Sequence, residues 1–261
     1  MAEHLASLAT TVGRASLTKR LAAIGQYHRL ANHPFSGNHP VIHHTLRGIH
    51  REHGRPARRS AALATPEIKR LVAACRTRSL ADLRDRALLL LGYAGALRRV
   101  ELVTVEREHV SFTPEGLRLQ IPRSKTDTTG QGAELGIPRG GKPETCPVRA
   151  LEAWLEASSC RFGPVFRKVN RWGDVEPAAL HPDAVRQILR RRAAQAGLTV
   201  SGLERLSPHG LRAGFITEAY RQGARDEEIM DHTRHRDLRT MRGYVRRATL
   251  LSESPVKKLG L

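Results

Sequence analysis

Apolar residues along this chain recur mostly at helical spacing, with one interval of strand-like alternation near the middle. Close to the N-terminus Leu17, Leu21, Ile24, His28 and Ala31 fall on one helical face and leave Lys19, Gln26 and Arg29 on the other. Residues 32–40 predict a loop and 41–51 a second helix. Gly54, Arg55, Pro56, Ala57, Arg58 and Arg59 then break all periodicity, which predicts an interdomain linker over 54–64. Thr65 reads as an N-cap with Pro66 at the first helical position, followed by Ile68, Leu71 and Val72. A further helix begins near Asp82, runs through the apolar residues 87–91 and loosens at Gly92 and Gly95, which places Arg98 at a helix or loop boundary. Between 110 and 138 the period shortens, predicting three short antiparallel strands with turns at 113–116 and 125–132. From Cys146 onward the spacing is helical again, through Leu151, Trp154 and Leu155, then Val185, Ile188 and Leu189, then 216–220, Ile229 and Met230. The pattern predicts a mainly α chain with a small antiparallel β-sheet, divided into a short helical unit over 1–53 and a mixed unit over 65–261.

A length of 261 residues with 40% apolar content suffices for a sizeable core in one or two domains. No apolar run reaches the roughly 18–20 residues that span a bilayer, and the N-terminus has an early acidic residue and no apolar signal core. Cys75, Cys146 and Cys160 are far apart and in no CxxC spacing, so no disulfide framework or zinc knuckle is indicated and a reducing cytoplasm is expected. Charge changes the picture most. Forty-four Lys and Arg against 25 Asp and Glu give +19, and polyanions release condensed counterions when such residues neutralise their phosphates. Nucleic acid is the first candidate partner. The alternatives are an Arg-rich background composition without such a role, or a membrane surface, against which the even spread of basic residues argues.

Candidate chemistry lies in three clusters. Arg98 and Glu101 stand three apart, so they share a face if helical; Glu101 then orients a neighbouring group, or the two form an ordinary surface pair. Lys125, two residues beyond Arg123, lies where a strand passes into a turn, from which an ammonium reaches a leaving oxygen or is simply solvated. Ser207 and Pro208 suggest a helix start that brings His209 and Arg212 onto one face, followed by His235 and Tyr244. A phosphodiester repels nucleophiles by its own charge and gains more as phosphorus becomes five-coordinate, and fixed cations relieve both problems. A zinc site from Asp231, His232 and His235 has permissible spacing but no cysteine or third histidine close in sequence, and no metal is expected.

Taken together, Arg98, Lys125, His209-x-x-Arg212, His235 and Tyr244 match the ordered pattern of the tyrosine recombinase (phage integrase) family, which the chain closely resembles over about residues 62–261. The resemblance implies a two-domain architecture: a shortened helical, SAM-like core-binding domain over 1–53, a linker over 54–64, and a catalytic domain over 65–261 with a C-terminal tail. It implies site-specific DNA cleavage and rejoining through a 3′-phosphotyrosyl link at Tyr244, without cofactor. Arg98 and Arg212 would clamp the phosphate, Lys125 protonate the leaving 5′-oxygen, His209 assist proton transfer at the tyrosine, and His235 bond a phosphate oxygen with Glu101 in support. It further implies double-stranded DNA as partner, contacted also by Lys19, Arg29, Arg123 and Arg234, a homotetramer assembled on that DNA, accessory DNA-bending proteins, and a cytoplasmic, nucleoid-associated location. Arg234 stands where the family most often has glycine, so either the turn is altered or an extra cation sits near the phosphate. The apolar tail residues Leu250, Leu251, Val256, Leu259 and Leu261 dock on a neighbouring protomer or fold back. Two other readings use the same residues: a catalytically impaired DNA-binding remnant of a mobile element, and a type IB topoisomerase-like enzyme.

Overall fold

The apolar stripe of residues 41–51 folds as helix α3 (Pro40–Glu52), opened by Pro40 and by the His39 ring, whose Nδ1 accepts from the Val41 N–H at 3.3 Å. Its inner residues Ile42 and Ile49 close a small core with Leu5 of α1 (Ala2–Ser7) and Leu17 of α2 (Arg14–Leu30). On α2, Leu21, Ile24 and His28 are half-buried, while Lys19 and Arg29 are exposed as the pattern predicts. Six residues give too little period for α1 to be read in advance. This computed structural model describes residues 1–54, 58–122, 132–248 and 254–259, with side chains of the last helix described through Val245. Met1–Arg58 form one compact unit and Arg59–Leu261 another.

The larger unit begins earlier than the sequence suggests. Strand β1 (Arg59–Ser60) pairs in parallel with β7 (Glu204–Arg205), and Ala61, Leu63 and Ala64 are buried, so residues 59–64 belong to this unit and not to a free linker. Helix α4 (Thr65–Ala73) is capped at Ala64; Thr65 is its first helical residue, and its hydroxyl bonds the Tyr93 phenol at 3.0 Å instead of capping. Helix α5 (Leu80–Ala94) starts at Ser79, whose Oγ accepts from the Asp82 N–H, and α6 (Arg99–Val103) follows. The predicted sheet is present as β2 (Val110–Phe112), β3 (Gly116–Ile121) and β4 (Ala133–Pro138), antiparallel in that order. Leu117, Leu119, Ile121, Leu135 and Ile137 point into the core, as period-two alternation requires. Thr113 and Gly116 close the first turn with reciprocal backbone bonds; the second, apart from Gly132, lies outside the described residues.

Beyond the sheet, α7 (Pro147–Ala157) buries Trp154 completely and its indole donates to the Val165 carbonyl at 2.8 Å. A hairpin, β5 (Arg167–Val169) with β6 (Val175–Ala179), occupies a stretch where the sequence suggested only helices, because strands this short carry no readable period. Helix α8 (Pro182–Gln195) is tied to α5 by Asp85, fully buried, which accepts from Arg84, Arg191 and Arg192. Helices α9 (His209–Arg221), α10 (Asp226–Thr233) and α11 (Leu238–Ala248) close around Ile216, Ile229, Met241 and Val245, with Tyr244 packed at the edge of that cluster.

Helix α9 is pressed onto the entering strand. The Leu63 N–H donates to the Gly210 carbonyl at 3.0 Å, and a Cβ placed at Gly214 would lie 1.8 Å from the Leu63 carbonyl oxygen. Only glycine lets backbone meet backbone that closely. The contact fixes the turn of α9 that carries His209 and Arg212.

Candidate active site

Two helix ends of one type deliver the site. At the end of α5 the Ala96 N–H bonds the Tyr93 carbonyl and the Leu97 N–H bonds the Gly92 carbonyl, with Ala96 left-handed at φ 45°. At the end of α10 the Arg234 N–H bonds the Asp231 carbonyl and the His235 N–H bonds the Met230 carbonyl, with Arg234 left-handed at φ 57°. Both are Schellman closures with a side-chain-bearing residue where glycine is usual, at roughly 1–2 kcal/mol of backbone strain each. Arg98 directly follows the first closure, and His235 is the last residue of the second.

Arg212 joins the two. Its side chain is 1% exposed, Nη1 donates to the Ala96 carbonyl at 2.7 Å, and Nη2 donates to the Thr233 carbonyl. Nη2 also lies 3.3 Å from His235 Nε2 and 3.4 Å from Nδ1, so the cation sits against the whole ring. Burial, with Arg98 and Arg234 nearby, lowers the Arg212 pKa to about 10, which leaves it a cation at neutral pH. Burial first, then the charges of Arg212, Arg98, His209 and Arg234, push His235 down to about 4. In this state His235 is a neutral imidazole.

Glu101 is the anionic hub. It is 5% exposed; Oε1 accepts from Arg98 Nη1 at 2.6 Å, and Oε2 accepts from the Arg98 backbone N–H at 2.9 Å and from Arg234 Nη2 at 3.0 Å. Burial raises its pKa, but the Arg98 N–H together with the Arg234 and Arg98 cations outweighs that and holds it below the usual carboxylate value. Arg234 is therefore turned inward. Its side chain is 11% exposed and its Nη1 donates to the His232 carbonyl. In the turn itself an arginine adopts the conformation usual for glycine, with its guanidinium held by Glu101.

Tyr244 faces this cage from α11. Its Oη lies 2.7 Å from His209 Nε2, and its ring centroid is 6.0 Å from that of His235. A phenol and an imidazole at that separation share a proton, the geometry a nucleophile and its base require. Five of the six predicted side chains, Arg98, His209, Arg212, His235 and Tyr244, thus converge. Lys125 and Arg123 lie outside the described residues. Lys19 and Arg29 lie in the smaller unit. His232, considered as a zinc ligand, bonds the Ala94 carbonyl through Nε2 and stacks on Phe215, and among the described residues no His, Cys, Asp and Glu cluster could hold a metal. The sequence reading missed Ala96 and Thr233. Ala96 carried no signal apart from the neighbouring Gly95, and Thr233 none beyond standing two residues before His235.

A model of the phage integrase family matches residues 62–250. The chain belongs to that family, the tyrosine-type site-specific recombinases. An integrase/recombinase xerD homolog of Selenomonas ruminantium is 30% identical over 262 residues, covering 98% of this chain and 75% of the relative. The tyrosine recombinase XerD of Vibrio cholerae is 29% identical over 200 residues, covering 74% of this chain and 59% of that protein. Among solved structures, the XerH site-specific recombinase bound to a palindromic difH substrate in a post-cleavage complex aligns with a TM-score of 0.70 at 16% identity, over 99% of this chain and 70% of its own. Lambda integrase residues 75–356 bound to DNA align at 0.61 and 15% identity, over 93% and 80%. At these identities the structural likeness establishes the recombinase fold, mainly helical with small antiparallel sheets.

Proposed function

We propose that this chain cleaves and rejoins duplex DNA at specific sites, with Tyr244 as the nucleophile. One observation carries the reading: the Tyr244 hydroxyl stands 2.7 Å from His209 Nε2, beside an arginine buried to 99% of its surface. His209 takes the phenolic proton as Oη attacks the scissile phosphorus. The bond to the 5′-oxygen breaks, and that oxygen takes a proton from Lys125, leaving a 3′-phosphotyrosyl ester and a free 5′-hydroxyl. Attack by another strand's 5′-hydroxyl reverses the step and conserves the bond energy. Arg212 and Arg98 stabilise the charge on the non-bridging oxygens; the Arg98 side chain is 23% exposed, so N–H groups not held by Glu101 face the solvent.

DNA capture extends beyond the site. Lys19 and Arg29 on the exposed face of α2, and Arg123, two residues before Lys125 in sequence, bind the phosphate backbone, with residues 1–53 as a short core-binding domain. A net charge of +19 supports this, and so does a solved neighbour at a TM-score of 0.51, a lambda integrase tetramer bound to a Holliday junction. The working assembly is a homotetramer on DNA, served by accessory DNA-bending proteins in the nucleoid. No described helix is long and apolar enough to cross a membrane.

A nicked suicide duplex tests the proposal. Wild-type protein becomes covalently attached and Tyr244→Phe does not; failure of both would instead mark a DNA-binding remnant. Exchange between two sites, as against relaxation of any plasmid, separates a recombinase from a topoisomerase-like enzyme.

A further inference from the structure

Thr233 is fully buried, and its hydroxyl has two close partners: Oγ1 lies 2.6 Å from the Ile229 carbonyl oxygen and 2.7 Å from His235 Nδ1. A hydroxyl has one proton. Two oxygens 2.6 Å apart without a proton between them repel, and a carbonyl can only accept, so the Thr233 proton belongs to Ile229. Thr233 can then offer His235 only a lone pair, and the partner proton sits on His235 Nδ1. Neutral His235 therefore has a bare Nε2. A phosphate oxygen is also purely an acceptor, and a bare Nε2 has nothing to give it.

We propose that Thr233 is a positioning residue that locks His235 in the Nδ1–H tautomer, so that His235 meets the scissile phosphate only as an imidazolium and DNA capture takes up a proton. The mechanistic half rests on the recombinase reading above; the tautomer half does not. The groups facing the ring are Arg212 and His209 from α9, Arg98 from the start of α6 with its partner Glu101, Arg234 from the same turn, and Tyr244 from α11. Four of them are cations or potential cations, which keeps the empty site's imidazole neutral, and a bound phosphodiester supplies the opposing charge. Proton uptake is thereby tied to an occupied site. A histidine free to present Nε2–H would show no such coupling.

The test has two arms, both on the 261-residue chain. Nitrogen-15 NMR of His235 in free enzyme is expected to show a protonated Nδ1 and a bare Nε2 in wild type and Thr233→Ser, and a shift toward Nε2–H in the near-isosteric Thr233→Val. Single-turnover cleavage of the suicide duplex is expected to fall with rising pH in wild type and Thr233→Ser, and to lose that alkaline dependence in Thr233→Val, whose neutral ring can donate from Nε2. A protonated Nε2 in free wild type overturns the lock, and identical pH profiles for wild type and Thr233→Val overturn its mechanistic consequence. If wild type does not cleave, the recombinase reading fails while the NMR arm still decides the tautomer.

Discussion

Replacing Glu101 by glutamine keeps the shape of the hub and removes its charge. The carboxylate receives three donors on two oxygens, Arg98 Nη1 at 2.6 Å, the Arg98 backbone N–H at 2.9 Å and Arg234 Nη2 at 3.0 Å. An amide has one oxygen and one NH₂ group, so in either orientation at least one donor confronts another donor, and Arg234, 11% exposed, loses its counter-charge. Breaking a buried ion pair on one side costs roughly 3–5 kcal/mol. The Arg98 side chain is 23% exposed and regains some hydration, which favours the lower end, about 3 kcal/mol. For a unit of this size that corresponds to a fall in Tm of roughly 6–12 °C at neutral pH. The Glu101 pKa is held below its ordinary 4.5 in the folded chain, so its stabilisation is complete above 4.5 and is lost as pH falls through the folded value. Calorimetric scans from pH 7 to pH 3 should therefore show the wild-type advantage over Glu101→Gln shrinking below pH 4.5. An unchanged Tm at pH 7, or a gap that persists undiminished to pH 3, would refute the hub argument.

His209→Ala should reduce single-turnover cleavage by roughly 10²–10⁴-fold while leaving salt-dependent DNA affinity near wild type, measured by trapping on the suicide duplex and by filter binding. Gly214→Ala sets a Cβ 1.8 Å from the Leu63 carbonyl and must move α9 or the entering strand; a loss of about 3 kcal/mol in denaturant titration is expected, together with slower cleavage because Arg212 lies two residues away.

Much of this molecule is encoded within a few residues of each position. Helical stripes such as that of residues 41–51, which buries Ile42 and Ile49, and the alternation that places Leu117, Leu119 and Ile121 inward are set by backbone geometry, so they are legible in the chain. The order of Arg98, Lys125, His209, Arg212, His235 and Tyr244 was legible too, through resemblance. Tertiary structure decided the rest, because those partners are far apart in sequence and chosen by packing. Arg234 pairs with Glu101 across 133 residues, a destination that its local sequence, an arginine in a basic stretch, does not reveal. Residues 59–64 look like linker because Gly, Pro and Arg precede them, yet β7 and the glycines of α9, almost 150 residues later, draw them into the fold. The proton on His235 depends on a threonine hydroxyl already committed to a helix carbonyl, and only an arrangement in three dimensions can commit it.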